Sequence, residues 1–373
     1  MEFDPAQAAS DPLHFRFSEG AHDDFARELR RRAGPILADP RLRRYGQHML
    51  HAKAAFWAVM LAASYGLLLA SPANGWVCLG AAAAAGAAAL MLAINAGHDA
   101  AHGVFFASRR ANRALLIATF ALLGVDGNLW QRRHNGSHHA FPNVSGCDVD
   151  IDQNPVIRLS PHHRRRPWQR WQHLYAPFAY ALVQLHSIAV GDTIYLFRRR
   201  VANMVREHCS WRDLPIFVGT KLAYVLIALG LPLTVMDRPW WQIVGGWLLI
   251  SSLTSLAFVL LLIGTHFVED TAHPDVAPDG TISGSWARHQ IVTSLDWNPE
   301  SRIAAALTGG ANLHAAHHLF PRVPHVHYRV LTPIIRDTAH RHGLPYNEAS
   351  FADMIRSHFR FLRALSRAPA AAS

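Results

Sequence analysis

Long apolar runs alternate with polar, histidine-rich segments along this chain. Four of the runs are each about long enough for a helix to cross the hydrocarbon core of a bilayer. They lie at 54–70, 76–96, 214–235 and 240–264. Short turns at 71–75 and 236–239, each containing a proline, join the runs in two pairs, and this arrangement predicts two transmembrane helical hairpins. Only the third run carries a charge, Lys221, whose side chain we expect to extend toward the bilayer surface.

Two further apolar stretches do not fit a straight membrane span. The stretch 114–125 is about 18 Å long as a helix, which is too short to cross. The stretch 174–197 is longer, but Pro177, Gln184 and Asp192 interrupt it. We therefore predict that both stretches form helices at the membrane interface or against the protein.

The charges between the two hairpins indicate their orientation. Eleven arginines in this segment indicate the orientation of the hairpins: Arg109, Arg110, Arg113, Arg132, Arg133, Arg164, Arg165, Arg166, Arg198, Arg199 and Arg200. By the positive-inside rule, the segment and both termini are cytoplasmic. A fifth crossing through 174–197 would divide the histidine-rich segments between two compartments, so parity favours four spans. The Arg- and Ala-rich composition suggests a bacterial inner membrane.

Composition narrows the class of protein. Half of the 373 residues are hydrophobic, yet 36 Lys and Arg stand against 26 Asp and Glu, which fits a membrane anchor with a substantial polar portion. The net charge of +10 favours the anionic face of a bilayer, and no nucleic-acid motif accompanies it, so we predict no nucleic-acid partner. Three isolated cysteines argue against a disulfide framework or a cysteine zinc site. The 25 histidines point instead to a metal site, since histidine is the commonest metal ligand.

Eight histidines fall into three dense clusters. The clusters are His98 and His102; His134, His138 and His139; and His314, His317 and His318. Histidines separated by three or four positions share one face of a helix and can bind one metal centre. A metal transporter would instead need ligands near the bilayer midplane, and the spans offer only Asn95, Lys221 and scattered hydroxyls. The clusters therefore predict a metal site beyond the ends of the spans.

The motifs HxxxH, HxxxHH and HxxHH, interleaved with two hairpins, resemble the integral-membrane fatty acid desaturase and hydroxylase family. The flanking segments that agree are FPN at 141–143, GCDVD at 146–150, HQ at 289–290, TSLD at 293–296, GGANL at 309–313 and HHLFP at 317–321. The resemblance runs from about residue 54 to residue 346. It implies an all-α membrane protein with four transmembrane helices in two hairpins, interfacial helices, and a helical cytoplasmic cap that holds a di-iron site.

The resemblance also implies the ligands and the cofactors. Two iron ions would be held by the eight clustered histidines and by His266, which follows the fourth span as a family ligand does. Imidazole suits iron, and O2 would be the co-substrate. Metal-bound imidazoles usually donate their other N–H to a carboxylate or carbonyl oxygen. The candidates for that second role are Asp99, Asn135, Asp150, Glu269 and Asn312.

The implied reaction is the introduction of a double bond into a fatty acyl chain carried by a lipid, coenzyme A or acyl carrier protein. A hydroxylase, ketolase or acetylenase would use the same irons and stays open as an alternative. Front-end desaturases usually have Gln where this chain has His314, the form seen in methyl-end desaturases, so the position of attack also stays open. The chain contains no haem-binding HPGG motif. We therefore expect a separate electron donor: a ferredoxin, a flavodoxin or a cytochrome b5-type protein, with its reductase.

The positions of the spans and the extent of the resemblance divide the chain into three parts. Residues 1–50 are predicted to form a cytoplasmic lead-in, residues 51–346 the membrane desaturase domain, and residues 347–373 a cytoplasmic helix and tail.

Overall fold

The computed structural model of the chain describes residues 15–19, 23–70, 73–152, 155–205 and 213–367. This part is mostly helical, and four of its helices are long and apolar enough to cross a membrane. The prediction of an all-α membrane protein with four spans is confirmed. The division into three domains stays a prediction, and 1–14, 20–22 and 368–373 of its terminal parts lie outside the described residues.

The first hairpin follows a short amphipathic helix. The amphipathic helix is α1 (Asp24–Ala38). The hairpin consists of α2 (Pro40–Leu69), α3 (Gly75–Leu92) and α4 (His98–Ala101), with a π-helical turn at Ala93–Gly97 between α3 and α4. The Asp39 carboxylate accepts a hydrogen bond from the Arg41 amide at 2.8 Å, and Pro40 at the first helical position needs no partner, so α2 begins ahead of its predicted span. Ser71 and Pro72 of the predicted turn lie outside the described residues.

Small side chains let α3 pack closely between α2 and α13, the last membrane helix (Trp240–Leu262). Ala81, Ala85, Ala88 and Ala89 are buried along α3. Without a hydrophobic driving force between helices in lipid, close backbone approach supplies the packing energy. The alanine-rich second span therefore forms the centre of the bundle, and it leads directly into the first histidine cluster.

In the described residues between the hairpins there are six short helices. They are α5 (Arg109–Ala121), α6 (Gly127–Arg133), α7 (Val149–Asp152), α8 (Gln172–Ala181), α9 (Val183–His186) and α10 (Asp192–Phe197). α5 is short, as the stretch 114–125 predicts. The stretch 174–197 is not one helix: Pro167–Ala181 and Val183–Phe197 meet at an angle of 63°.

The second hairpin contains α11 (Asp213–Val225), a π-helical turn at Leu226–Gly230, α12 (Leu231–Val235) and α13. Lys221 of α11 is paired with a carboxylate of the connecting helices. Its ammonium group lies 2.7 Å from the buried Asp192 carboxylate of α10 and donates to the Gly124 carbonyl at 2.6 Å. A charge inside the bundle is tolerated when it is paired, and this pair ties the third span to the connecting helices.

The remaining helices, with the six short strands found in the described residues, form a cap over one end of the bundle. The helices are α14 (Trp286–Val292), α15 (Arg302–Leu307), α16 (His314–Leu319), α17 (Tyr328–Arg341) and α18 (Phe351–Leu365). The strands pair as β1 (Arg16–Phe17) with β4 (Thr281–Ile282), β2 (Arg200–Val201) with β3 (Met204–Val205), and β5 (Leu295–Trp297) with β6 (Asn347–Ala349). Phe25, Leu29, Ile291, Leu331 and Ile335 are buried where α1, α14 and α17 meet, in one core that also includes residues of α16.

A glycine sets how closely the cap meets the membrane bundle. Gly309 has φ +60°, a left-handed conformation that side chains disfavour, and it packs on the π-helical turn below the first histidine cluster. A Cβ atom at this position would lie 2.7 Å from the Ile94 carbonyl oxygen. Both the conformation and the contact therefore require glycine.

We expect Gly309→Ala to lower the free energy of unfolding by about 3 kcal/mol or more, because backbone strain of about 1 kcal/mol adds to the clash with Ile94. Gly343→Ala is the matched control, since Gly343 has φ +65° and nothing lies within 4 Å of a Cβ atom there. Thermal unfolding in detergent compares the two. Equal losses in both variants would contradict the role given to the Ile94 contact.

Candidate metal centre

The three histidine clusters and His266 meet in one place, and their ring nitrogens form two sets. The first set is His98, His102, His134 and His317; the second set is His138, His266, His314 and His318. Within each set the ring nitrogens that face one another lie within 4.8 Å. His139 groups with His317 and His318 and so lies between the two sets. All nine histidines that the sequence and the resemblance singled out are brought together.

The spacing of the nitrogens suits a cation. In the second set, the His266 Nε2 atom lies 2.7 Å from that of His314 and 3.0 Å from that of His318, and the last two are 3.2 Å apart. Two imidazole nitrogens bound to one metal at about 2.1 Å and at right angles are roughly 3 Å apart. In the first set, the Nε2 atoms of His98 and His134 are 3.2 Å apart.

A π-helical turn places the second cluster. An α-helix would put His139 roughly 140° around the axis from His134, on another face. The chain instead forms a π-helical turn at His134–His138, and the His139 amide donates to the His134 carbonyl at 2.9 Å. With more residues in the turn, positions five apart lie roughly 50° from each other. The His139 and His134 Nε2 atoms are then only 3.0 Å apart, so this cluster serves both sets.

The third cluster lies on the short helix α16, whose first turn is held by Asp296. One oxygen of its carboxylate accepts from the Ala315 amide at 2.9 Å, and the other accepts from the Tyr346 hydroxyl. Burial raises the pKa of Asp296 to about 6, although these two hydrogen bonds oppose the rise. The strand pair β5–β6 carries Asp296 close to Tyr346, so the C-terminal part of the cap positions the cluster.

Hydrogen bonds at the outer nitrogens orient the second set. Each Nδ1–H donates to a buried acceptor: His138 to Asp148 at 3.2 Å, His266 to the Thr293 carbonyl at 2.8 Å, His314 to the Ala311 carbonyl at 3.1 Å and His318 to the Gln290 side-chain oxygen at 2.8 Å. With the proton on Nδ1, the Nε2 lone pair is free and points inward. This tautomer is the one that binds a metal through Nε2.

The electrostatics of the site favour neutral imidazoles. Burial holds the pKa of His134, His139, His266, His317 and His318 well below the ordinary histidine value, and neighbouring imidazoles add to the effect. His138 differs: burial acts to lower its pKa, but the Asp148 carboxylate outweighs burial and raises the pKa to about 9. Neutral imidazole is the form that ligates metals, so most of the site is ready to bind a cation at neutral pH.

The predicted supporting residues lie in different places. Of the five, Asp150 contacts a clustered histidine, with its carboxylate 3.5 Å from His138 Nδ1. Within the described residues, the side chains of the other four form no hydrogen bond or ion pair with a clustered histidine. Asp99 accepts from His325, Asn135 donates to the Ala101 carbonyl, Glu269 pairs with Arg360, and Asn312 donates to the Trp297 carbonyl.

Two supporting residues were not singled out, Asp148 and Gln290. Asp148 is fully buried and approaches His138 more closely than Asp150 does. Gln290 is also fully buried and accepts from His318, which is 28 positions away in the chain. Both lie in segments that carry the family resemblance, GCDVD and HQ. Their place in these segments was the sequence signal that could have identified them.

An apolar cavity of about 770 Å³ lies between the two hairpins. Its lining includes Leu61, Leu92 and Leu122, which also belong to the hydrophobic cluster around Trp130. The Trp130 ring stacks on His134 with a centroid distance of 4.3 Å. A continuous apolar region therefore connects the interior of the bundle with the first histidine set.

We expect Asp148→Asn to weaken metal binding about tenfold or more. The two carboxylate oxygens of Asp148 accept hydrogen bonds from His138 and from two backbone amides, and in the variant an NH2 group replaces one of these oxygens. Asp150→Asn is the matched control, and since its carboxylate is half exposed and more distant, we expect a smaller loss. Anaerobic titration of the metal-free protein with ferrous iron against a chelator measures both affinities. A larger loss in Asp150→Asn would reverse the assignment.

Comparison with known proteins agrees with this geometry. A sequence profile described as fatty acid desaturase matches residues 73–350. A protein from Arthrospira platensis named sn-1 linoleoyl-lipid 6-desaturase is 27% identical over 348 residues, which are 92% of this chain and 93% of that protein. A protein of the same name from a Synechocystis strain is 26% identical over 352 residues, 92% of this chain and 96% of that protein.

A third relative, named acyl-lipid (8-3)-desaturase, comes from Physcomitrium patens. It is 29% identical over 269 residues, which are 71% of this chain and 56% of that longer protein. The profile covers the last three of the four spans, all three histidine clusters and His266. On this match, the chain belongs to the fatty acid desaturase family, whose members are oxidoreductases.

Proposed function

We propose that this protein is an O2-dependent di-iron desaturase that introduces a double bond into a fatty acyl chain. The observation that carries the proposal is two facing histidine sets in a protein whose membrane hairpins enclose an apolar cavity. Removal of hydrogen from an unactivated methylene needs an oxidant that side chains do not supply. The family match supports this chemistry, and the relatives' names supply the acyl substrate class.

We assign the nine histidines as ligands of two iron ions, one for each set, with His139 between them. The all-nitrogen donors, the inward lone pairs and the spacing near 3 Å fit first-row cations, and imidazole suits iron among them. Bound iron would supply the activation of O2. The protein's own contribution is to fix the tautomers of the ligands, through Asp148, Gln290 and backbone carbonyls, and to keep the second set out of water.

The stoichiometry of the reaction requires electrons and protons as well as O2 and the acyl chain. A –CH2–CH2– unit, O2, two electrons and two protons give –CH=CH– and two molecules of water. The electrons come from a separate carrier protein, a ferredoxin, a flavodoxin or a cytochrome b5-type protein with its reductase. Burial of six of the nine histidines limits the access of bulk water, which suits an oxidation that must be directed at the substrate.

The acyl chain is proposed to enter the cavity between the hairpins, so that its reacting carbons come close to the histidines. A cavity of about 770 Å³ lies within the range for sites that bury small ligands. Because two relatives that match 92% of this chain are named for a linoleoyl-lipid, an acyl-lipid is the substrate form we propose, ahead of acyl-CoA or acyl carrier protein. We place the protein in a bacterial inner membrane with the cap on the cytoplasmic face, from the arginine-rich segment between the hairpins.

The test is mass spectrometry of total fatty acids from cells that express the protein with a ferredoxin and its reductase. We expect a new acyl species lighter by two hydrogen atoms, which is lost in His317→Ala because the first set then lacks a ligand. His340→Ala is the matched control, since His340 is exposed and lies outside both sets. That variant should keep the product.

Other products would change the assignment. A species heavier by one oxygen atom would show a hydroxylase of the same family. A product that persists in His317→Ala would contradict the role given to the histidine sets.

A further inference from the structure

A basic surface lies where α8 and the end of α18 meet. Four of its arginines lie before α8 or in the 3₁₀ turn at Pro167–Trp171 that leads into it, and two lie in or just after the last turn of α18. All six are exposed, and they form the arginine patch: Arg164, Arg165, Arg166, Arg170, Arg363 and Arg367. The proposed function gives this patch no role.

Contacts between the two elements bring the arginines together. The Arg165 guanidinium donates to the Ser366 carbonyl oxygen at 3.1 Å. Arg363 and Arg367 are close enough to His173 of α8 to act on it electrostatically. The end of α18 therefore adds its positive charge to that of the turn before α8.

Carboxylates do not neutralise the patch. Residues 155–182 and 354–367 contain no aspartate or glutamate. Two acids of the segment after α13 contact these elements, but they pair with other bases: Glu269 with Arg360 at 2.7 Å, and Asp275 with His162 at 3.3 Å. Within the described residues, none of the six arginines forms an ion pair. The patch therefore presents a net positive charge to whatever faces it.

The patch lies at the level where the bundle meets the cap. α8 begins at the cap, where the Gln172 side-chain amide donates to the Leu362 carbonyl oxygen at 2.9 Å. It ends beside the membrane helix α13, where the Ser255 hydroxyl donates to the Tyr180 carbonyl oxygen at 2.6 Å. Ser255 is about 10 Å from the end of α13 at Leu262, which places it within the hydrocarbon core. α8 therefore runs from the cap into one leaflet, and the arginines lie at its outer end.

An apolar face continues from the patch along α8. Its members follow the helical repeat, and each is more than half exposed: Trp171, Leu174, Phe178 and Leu182. Trp168 is also exposed, and the guanidinium groups of Arg166 and Arg170 lie over the Trp168 and Trp171 rings at 5.4 and 4.9 Å. Tryptophan and arginine at the headgroup level, with apolar side chains deeper, suit a bilayer surface. A water-soluble partner would leave the deeper side chains uncovered.

We propose that the arginine patch binds the phosphate groups of anionic phospholipids in the leaflet next to the cap, while the apolar face of α8 contacts their acyl chains. Each arginine beside a membrane adds to the attraction for anionic lipid. An anionic phospholipid matches both the charge and the apolar face, whereas inorganic phosphate or a soluble acidic protein matches only the charge. The inference does not depend on the proposed function, because it requires no metal and no reaction.

The test measures the binding of single lipids to the purified full chain in detergent micelles by native mass spectrometry. The probes are phosphatidylglycerol and phosphatidylcholine with the same acyl chains, so the two differ only in the headgroup and its net charge. We expect the native protein to bind phosphatidylglycerol at least about fivefold more tightly. Raising the salt concentration should reduce this preference, because exposed charges are screened.

We expect Arg166→Gln with Arg170→Gln to lose most of the preference for phosphatidylglycerol, because the two charges over the tryptophan rings are removed. The matched control is Arg30→Gln with Arg31→Gln, which removes an exposed pair from α1 in the cap. That variant should keep the preference of the native protein.

Arg363→Gln with Arg367→Gln removes charge from the other element of the patch, so it tests the proposal even if the first variant does not fold. Trp171→Ala should weaken the binding of both lipids alike, since it removes an apolar contact. An unchanged preference in the arginine variants overturns the proposal, and so does equal binding of the two lipids by the native protein. Displacement of phosphatidylglycerol by millimolar inorganic phosphate, or by an acidic ferredoxin, would overturn the assignment of a lipid to this surface.

Discussion

The structure depends on buried nitrogen lone pairs that face one another. In the second set, Nδ1–H groups are occupied by Asp148, Gln290 and backbone carbonyls, so the Nε2 atoms meet as acceptors at 2.7 to 3.2 Å. Acceptors buried together without a donor are costly, and a cation relieves that cost. The fold is therefore expected to gain stability from a metal ion bound at these nitrogens, because binding to the native state alone shifts the folding equilibrium.

The remaining architecture keeps these nitrogens together at the end of a membrane bundle. The alanine-rich α3 packs at the centre of the bundle and leads into His98 at its end, and the π-helical turn at His134–His138 directs the second cluster toward both sets. Gly309 lets the cap rest on the same membrane helix, and Asp296 holds the third cluster. Apolar packing through Trp130 thus links the histidines to the region of the apolar cavity, an arrangement that suits oxidation of an acyl chain.

Much of this was accessible from the sequence, for identifiable reasons. The span lengths follow from the bilayer thickness, and the spacing of the clustered histidines follows from the helical repeat. His266 could be named only through the family resemblance. The partners of Asp99, Glu269 and Lys221 were not predictable, because each is chosen by packing between segments far apart in the chain. Local spacing likewise does not reveal a π-helical turn, since His134 and His138 are also neighbours on an α-helix.

The central claim is that the nine histidines hold two metal ions, one for each set. X-ray absorption at the iron edge, combined with metal quantification on the purified protein, tests it most directly. We predict about two irons per chain, each surrounded mainly by imidazole nitrogen, with a signal from a second metal nearby. A single ion per chain, zinc in place of iron, or a ligand environment without imidazole would contradict it.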